Sequence, residues 1–392
     1  MTKRQIYLDN SATTRICPEA LDKYVEVSRE HFGNPSSLHT LGFDAEKILD
    51  LARGEIRRAL AFDKGEVIFC ASGSEANNLA ILGRAYAKDR YKRGAKIITT
   101  DSEHASVNEP LEKLSREGYK IARIPTLGGV LDLEALAREL TADTVLVTLM
   151  LVNNETGALY DVSKAAKLVN ASCPDALVHI DATQSFLKVP MNKTALGADM
   201  ITVSSHKIEG PKGVGALVVD EKIMKAKGLS PVIFGGGQEK GLRSGTENVP
   251  AIAAFGEAVR VGRASLDLNR EKLSMLRALL IERIASDSRL AEISPTLPPI
   301  CAPHILNITL PSIKSETMLH YLSSYGIFVS SGSACSSNTR SHSGALVAYG
   351  RSEAEADCSI RISFSHTNEP EDVDELVEAL ASGLQTLQRK KR

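Results

Sequence analysis

The sequence carries almost no net charge: 47 basic side chains stand against 48 acidic ones. That balance gives no reason to expect nucleic acid or an anionic membrane as a partner. The basic end Arg389-Lys390-Lys391-Arg392 reads as a solubilising helix terminus. No apolar run is long enough to span a bilayer. Met1-Thr2-Lys3-Arg4 leads into Ile6-Tyr7-Leu8-Asp9 rather than into the apolar stretch of a signal peptide, so a cytoplasmic protein is expected. The six cysteines (Cys17, Cys70, Cys173, Cys301, Cys335 and Cys358) are scattered, with no C-x-x-C and no zinc-like spacing. Neither a disulfide framework nor a metal site is expected. Internal repeats and low-complexity tracts are also lacking. What remains is a chain of 392 residues with 43% hydrophobic content, enough for a large core and for two domains.

The apolar pattern alternates between short runs and helical spacing. Ile6–Asp9 is a short strand entering a polar turn, and Pro18 opens a helix. Phe32–His39 is a loop by composition. A helix follows with Ile48, Leu51, Ile56 and Leu60 on its apolar side. Strands are expected at Glu66–Cys70, Lys96–Thr100, Val145–Val152, Leu177–Ile180 and Met200–Val203, with helices from Ser74, about Val107 and about Ser163 between them. Such alternation implies crossover connections and a mostly parallel sheet. Val214–Val219 follows as another apolar run. Pro250 opens a long helical region with Leu273, Leu276, Leu280 and Ile284 on one face, and a domain boundary falls near residue 260. Strands at Leu306–Leu310, Ile327–Ser330 and Ser359–Phe364, then a helix over Pro370–Leu387, complete an α/β C-terminal part.

The segments that follow the strands carry the chemistry. They are Ala71-Ser72-Gly73-Ser74, Asp101-Ser102-Glu103-His104, Asn153-Asn154-Glu155, Asp181-Ala182-Thr183-Gln184 and Ser204-Ser205-His206-Lys207. In an open parallel sheet the ligand crevice lies outside the carboxyl ends of the strands. Lys207 stands where a strand ends, before the turn Glu209-Gly210-Pro211-Lys212-Gly213. A lysine so placed can be positioned and partly desolvated, which suits a Schiff base.

This set fits pyridoxal 5'-phosphate. Lys207 supplies the amine and Asp181 the carboxylate that keeps the pyridine nitrogen protonated. Gly73 and Ser74 offer a helix N-terminus to the phosphate, with Ser204 and His206 as further donors. Asn154 and Gln184 are placed to donate to the phenolic oxygen. His104 can stack on the ring and move protons. Arg361 can hold an amino-acid carboxylate through two hydrogen bonds. Singly, each has an ordinary alternative: His104 as a helix start, Asp181 as an N-cap, Arg361 as a surface strand arginine. Jointly they point to one site. Cys335 lies in Ser330-Ser331-Gly332-Ser333-Ala334-Cys335-Ser336-Ser337-Asn338, with no apolar neighbour, and is the best candidate for a reactive thiol. Cys70, at a strand end, is second.

With these stretches in place, the sequence resembles the cysteine desulfurases of the NifS/IscS type, within the class V aminotransferases. The resemblance rests on Tyr7-Leu8-Asp9-Asn10-Ser11-Ala12-Thr13-Thr14, Gly33-Asn34-Pro35-Ser36-Ser37, Ser72-Gly73-Ser74-Glu75-Ala76-Asn77-Asn78 and Glu103-His104. It continues through Val152-Asn153-Asn154-Glu155, His179-Ile180-Asp181-Ala182-Thr183-Gln184, Ser204-Ser205-His206-Lys207, Gly235-Gly236-Gly237-Gln238-Glu239, Arg243-Ser244-Gly245-Thr246 and Ser330–Cys335. It implies an α/β fold, the fold type I of PLP-dependent transferases. The large domain would span 16–260. A small domain would combine 1–15 with 261–392 and carry a mobile cysteine loop at about 330–345. It implies a homodimer in which Thr246 reaches the partner's cofactor phosphate, and it adds Asn34 and Asn154 to Arg361 as substrate contacts. The implied reaction converts L-cysteine to L-alanine and leaves a persulfide on Cys335, whose sulfur passes to an acceptor protein for iron–sulfur cluster, thio-cofactor or tRNA synthesis. A relative acting on selenocysteine or another amino acid is the alternative, and a weakly active scaffold protein a third reading. Two stretches depart from the family: Ser341–Leu346 lacks the usual Pro-Ser, and Ser363-Phe364-Ser365-His366 replaces Ser-Leu-Gly-Arg. The end at Arg392 lacks an extension that some members use to bind the scaffold.

Overall fold

The computed structural model describes residues 4–62, 64–87, 94–331 and 343–389; Cys335 lies outside the described residues. The strands in chain order are β1 (Ile6–Tyr7), β2 (Gly65–Cys70), β3 (Lys96–Thr100), β4 (Lys120–Ile124), β5 (Thr144–Met150), β6 (Leu177–Asp181) and β7 (Met200–Ser204). They continue with β8 (Gly215–Asp220), β9 (Ser294–Thr296), β10 (Ile305–Thr309), β11 (Ile327–Phe328), β12 (Ser330–Ser331) and β13 (Ser359–Ser363).

Seven strands form the central sheet in the order β2-β8-β7-β6-β5-β3-β4. The pairs β3–β4, β3–β5, β5–β6 and β6–β7 are parallel. β8 runs antiparallel to both β2 and β7, so β2 keeps the direction of the parallel set. The expected parallel sheet is therefore present with one reversed strand, and the Lys207 turn is the short link from β7 into it. Every residue of β5 and β7 is buried, as both faces of a helix-covered sheet require. Period-two alternation splits the side chains between two cores. Val67, Phe69, Ile98, Val147 and Ile201 join one, and Ile68, Cys70, Ile97, Leu146 and Met200 the other.

Four helices place the site: α1 (Pro18–Glu30), α2 (Thr40–Ala59), α3 (Gly73–Ala85) and α4 (Ala105–Arg116). α2 buries Ala45, Leu49, Ala52 and Ile56, a three-to-four spacing. Leu51 lies off that stripe and is 68% exposed, which corrects its expected place on the apolar side. β4 had no apolar signature, because only Ile124 of its five residues is buried.

A second layer contains the antiparallel sheet β12-β13-β10-β9 and the pair β1–β11. The run Ile327–Ser330 is thus two short strands in different sheets. A separate apolar core joins Ile6 and Leu8 to Leu276, Ile308, Ile362 and Leu380. The N-terminal segment is tied to β13: Ser363 N donates to Leu8 O at 2.7 Å and Asn10 N to Ser363 O at 3.2 Å. It then crosses to the Lys207 turn, where Thr14 N donates to His206 O at 2.9 Å. Among the described residues no helix is long and apolar enough to cross a membrane.

Candidate active site

The carboxyl ends of the parallel strands deliver their side chains to one edge of the central sheet. Ser72 is the N-cap of α3, and its side chain accepts from Glu75 N. A Cβ on Gly215 would lie 2.8 Å from Gly73 N, so glycine at the start of β8 lets α3 begin against the sheet. A Cβ on Gly73 itself would come within 3.2 Å of both Thr183 Oγ1 and Ser204 Cβ. Ser204 Oγ is buried there without a hydrogen-bond partner among the described residues. Gly73, Thr183 and Ser204 therefore form a small cradle at a helix N-terminus, the setting that suits a phosphate. Ser74 is exposed beside it. Thr183 was not singled out in the sequence, although it stands two residues after Asp181.

Asp181 closes β6. Its Oδ1 accepts from Thr183 N at 2.9 Å and its Oδ2 from Asn77 Nδ2 at 2.8 Å. The same Asn77 nitrogen donates to Ser106 Oγ at 2.9 Å. Ser106 Oγ lies 2.8 Å from His104 Nδ1, which also accepts from Ser106 N at 3.1 Å. His104 is the N-cap of α4. Since Nδ1 accepts from a backbone N–H, the proton of the neutral ring sits on Nε2. Burial pushes the His104 imidazole below its ordinary 6.5; Asp181 opposes this, and Lys207 and Arg361 add to it. Asp181, Lys207 and Arg361 are thus within electrostatic reach of the His104 ring.

Lys207 Nζ donates to Ser11 O at 2.6 Å and Ala12 O at 2.9 Å. Gln184 Nε2 shares the Ser11 carbonyl at 2.9 Å, so Gln184 stands beside the lysine amine. His206 Nδ1 is 3.2 Å from Thr13 Oγ1. Burial, with Lys207 and Lys212, pushes the His206 ring down to about 4, and it is neutral near pH 7.

Arg361 arrives from β13. Its Nη1 donates to Asn154 O at 2.9 Å and its Nη2 to Asp9 Oδ1 at 2.9 Å. Its Nε is buried without a partner among the described residues. Asn154 thus meets the Arg361 fork through its backbone carbonyl. Asp9, absent from the expected site, fixes the guanidinium; it stands at the end of the Tyr7-Leu8-Asp9 run, the only sequence signal for it.

Two expected residues lie apart from this group. Asn34 is exposed, and its side chain accepts from Ser36 N at 3.0 Å within its own turn. Thr246 is exposed and lines a different cavity of about 170 Å³, with Cys70, Ala71 and Arg243. Cys70 is buried; burial, with Glu75 and Glu239, raises its thiol well above 9.0, which corrects its standing as a second reactive cysteine.

The model of the class-V aminotransferase family matches residues 6–376. The chain belongs to the class-V aminotransferases. Cysteine desulfurase IscS 1 of Archaeoglobus fulgidus is 35% identical over 97% of this chain and 97% of its own. The solved structure of a NifS-like protein superposes with a TM-score of 0.89 at 32% identity, over 98% of this chain and 100% of that one. That of SspA in complex with cysteine superposes with a TM-score of 0.79 at 29% identity, over 94% and 100%. The fold is thus that of the class-V aminotransferases, as the sequence implied.

Proposed function

We propose that this class-V aminotransferase is a cysteine desulfurase that uses pyridoxal 5'-phosphate, releases L-alanine and holds the sulfur as a persulfide on Cys335. The supporting observation is the gathering of Asp181, Lys207 and Arg361 within electrostatic reach of His104, with a Ser204 hydroxyl that has no hydrogen-bond partner among the described residues beside the start of α3. The residues fit the cofactor. Gly73, Ser74, Ser204, His206 and Thr183 would hold its phosphate, Asp181 its ring nitrogen, Asn154 and Gln184 its phenolic oxygen, and Lys207 its aldehyde carbon. When bound, that group withdraws electrons from the substrate's α-carbon.

The side chains do the rest. Arg361 takes the substrate carboxylate while Asp9 and the Asn154 carbonyl hold its fork. The Lys207 amine takes the α-proton. His104 carries its proton on Nε2, free of the Nδ1 contacts to Ser106, and Asn77 keeps Asp181 aimed. Sulfur leaves the substrate's β-carbon and bonds to the Cys335 sulfur. One cysteine and one thiol thus become one alanine and one persulfide, with no outside oxidant. The cysteine named in the SspA structure supports L-cysteine as the substrate. The sulfur then passes to an acceptor protein, an iron–sulfur scaffold or a thiolation protein.

Two organisational readings belong with this. Residues 16–260 form the large domain, and 1–15 with 261–392 the small one; the joint core of Ile6, Leu8 and the C-terminal part supports it. The protein is a homodimer, in which Thr246 serves the partner's cofactor site. Support comes from Phe32, Leu38, Leu41 and Phe43, all exposed within one short segment.

The test is to record the visible spectrum, add L-cysteine with a thiol reductant, and measure alanine and sulfide. A yellow protein that makes both equally, and loses sulfide in Cys335→Ala and colour in Lys207→Ala, is expected. Unchanged sulfide in Cys335→Ala would overturn the persulfide and point to other amino acids. A protein unable to take up the cofactor would overturn the whole reading.

A further inference from the structure

Lys207 and Arg361 sit in different layers, yet a substrate amino acid must meet both. The distance between them therefore has to be fixed by contacts that cross the layers. One such contact is that of Glu209 with His366, with Glu209 Oε1 2.9 Å from His366 Nδ1.

Glu209 follows Lys207 by two residues and has a φ of 65°, a left-handed conformation that is uncommon for a residue with a side chain. Its polar groups hold it there. Its N–H donates to Thr14 Oγ1 at 2.8 Å, its carbonyl accepts from Cys17 N at 2.9 Å, and its carboxylate meets His366. His366 follows Arg361 by five residues, in the loop before the helix Pro370–Arg389. That loop is rigidly built. Ser365 N donates to Asn368 Oδ1 at 2.8 Å, Thr367 N to Ser365 Oγ at 3.1 Å, and Asn368 Nδ2 to Asp372 Oδ2 at 3.0 Å. A strained turn carrying Lys207 thus meets a stiff loop that continues from Arg361.

We propose that Glu209 and His366 are a positioning pair that sets the separation of Lys207 from Arg361, and so the fit of the amino-acid substrate. The pair adds little to stability, since its side chains are 21% and 39% exposed. Its effect lies in geometry, where a small displacement of a binding group is felt strongly. The inference rests on the reading of Lys207 and Arg361 given above.

The test uses the holoenzyme and the variants Glu209→Ala, His366→Ala, the double alanine variant and His366→Arg. Two quantities are measured: KM and kcat for L-cysteine, and the Kd of L-alanine from the change in cofactor absorbance. Thermal midpoints show whether each variant is folded. We expect both alanine variants to raise KM and the L-alanine Kd by roughly fivefold, with a smaller change in kcat. The double variant should lose no more than either single one, because the two residues act as one tie. His366→Arg, which keeps an N–H donor opposite Glu209, should recover most of the affinity. Unchanged KM and Kd in the folded alanine variants would overturn the proposal, as would losses that add in the double variant. A wild-type protein that makes no alanine from L-cysteine would instead overturn the proposed reaction, and the L-alanine Kd would still decide on the tie.

Discussion

Asn77 Nδ2 stands 2.8 Å from Asp181 Oδ2, and with its second hydrogen reaches Ser106 Oγ at 2.9 Å. One amide thus connects the carboxylate at the end of β6 to the imidazole at the start of α4. The reverse orientation would set an amide oxygen against a carboxylate, so both donors are committed. Asn77→Ala should weaken cofactor binding roughly tenfold, as expected for losing a hydrogen bond to a charged group. Asn77→Asp should do far worse, because it places a second negative charge beside Asp181. Cofactor dissociation constants for the two variants check this. Equal affinities would show that Asp181 is held by Thr183 N alone.

This connection also shows where sequence reading stops. The rim was legible because each strand is a short buried run ending in a distinct polar type, and α/β sheets gather such ends. Asn77 was quoted as part of a motif but carried no visible role, since its partners at Ser106 and Asp181 lie 29 and 104 residues away. Asp9 and Arg361, 352 residues apart, meet only because the N-terminal segment runs beside β13. β4 was missed because it is an edge strand with Lys120 and Arg123 in it, a composition that protects edges and hides strands.

Arg361 owes its orientation to Asp9. Asp9→Ala should let the guanidinium turn, and KM for L-cysteine should rise about tenfold with a smaller fall in kcat. Asp9→Asn keeps an acceptor at 2.9 Å and should lose less. Arg361→Lys should lose more than either, because an ammonium cannot hold Asp9, the Asn154 carbonyl and a substrate carboxylate in one plane. Steady-state alanine formation ranks the three, and a KM for Asp9→Ala equal to that of the wild type would separate Asp9 from substrate binding.

Glu239 anchors the glycine-rich segment to β2. Its carboxylate takes both Nη groups of Arg53, at 2.7 and 2.8 Å, and Phe69 N at 2.9 Å. Its side chain is 1% exposed. Glu239→Ala takes the bidentate partner from the largely buried Arg53, leaving it only the longer ion pair to Asp50 at 3.7 Å, and should destabilise the fold by about 2–4 kcal/mol. Urea unfolding measures it. A loss near zero would mean that Arg53 swings out to solvent in the variant.

The buried Glu103 and the partly buried Glu155 make stability depend on pH. Burial pushes Glu103 up to about 8, with Asp181 adding to it and Met150 N–H and the Thr100 hydroxyl opposing. Burial likewise pushes Glu155 up to about 7 against the Ser343 hydroxyl and Arg361. Both have an ordinary value of 4.5, so in the unfolded chain they release their protons first. A folded-state value above the unfolded one gives stability that is complete below that lower value and is lost as pH rises through the higher one. The thermal midpoint should therefore fall between pH 5 and about pH 8. Glu103→Gln removes one of these titrations while Oε1 can still accept from Thr100 and Met150, so its midpoint should vary less over the same range. The comparison isolates Glu103 because other titrating groups are common to both proteins. Parallel curves for the two would show that Glu103 stays ionised in the folded state, with its charge held by the Met150 N–H and the Thr100 hydroxyl.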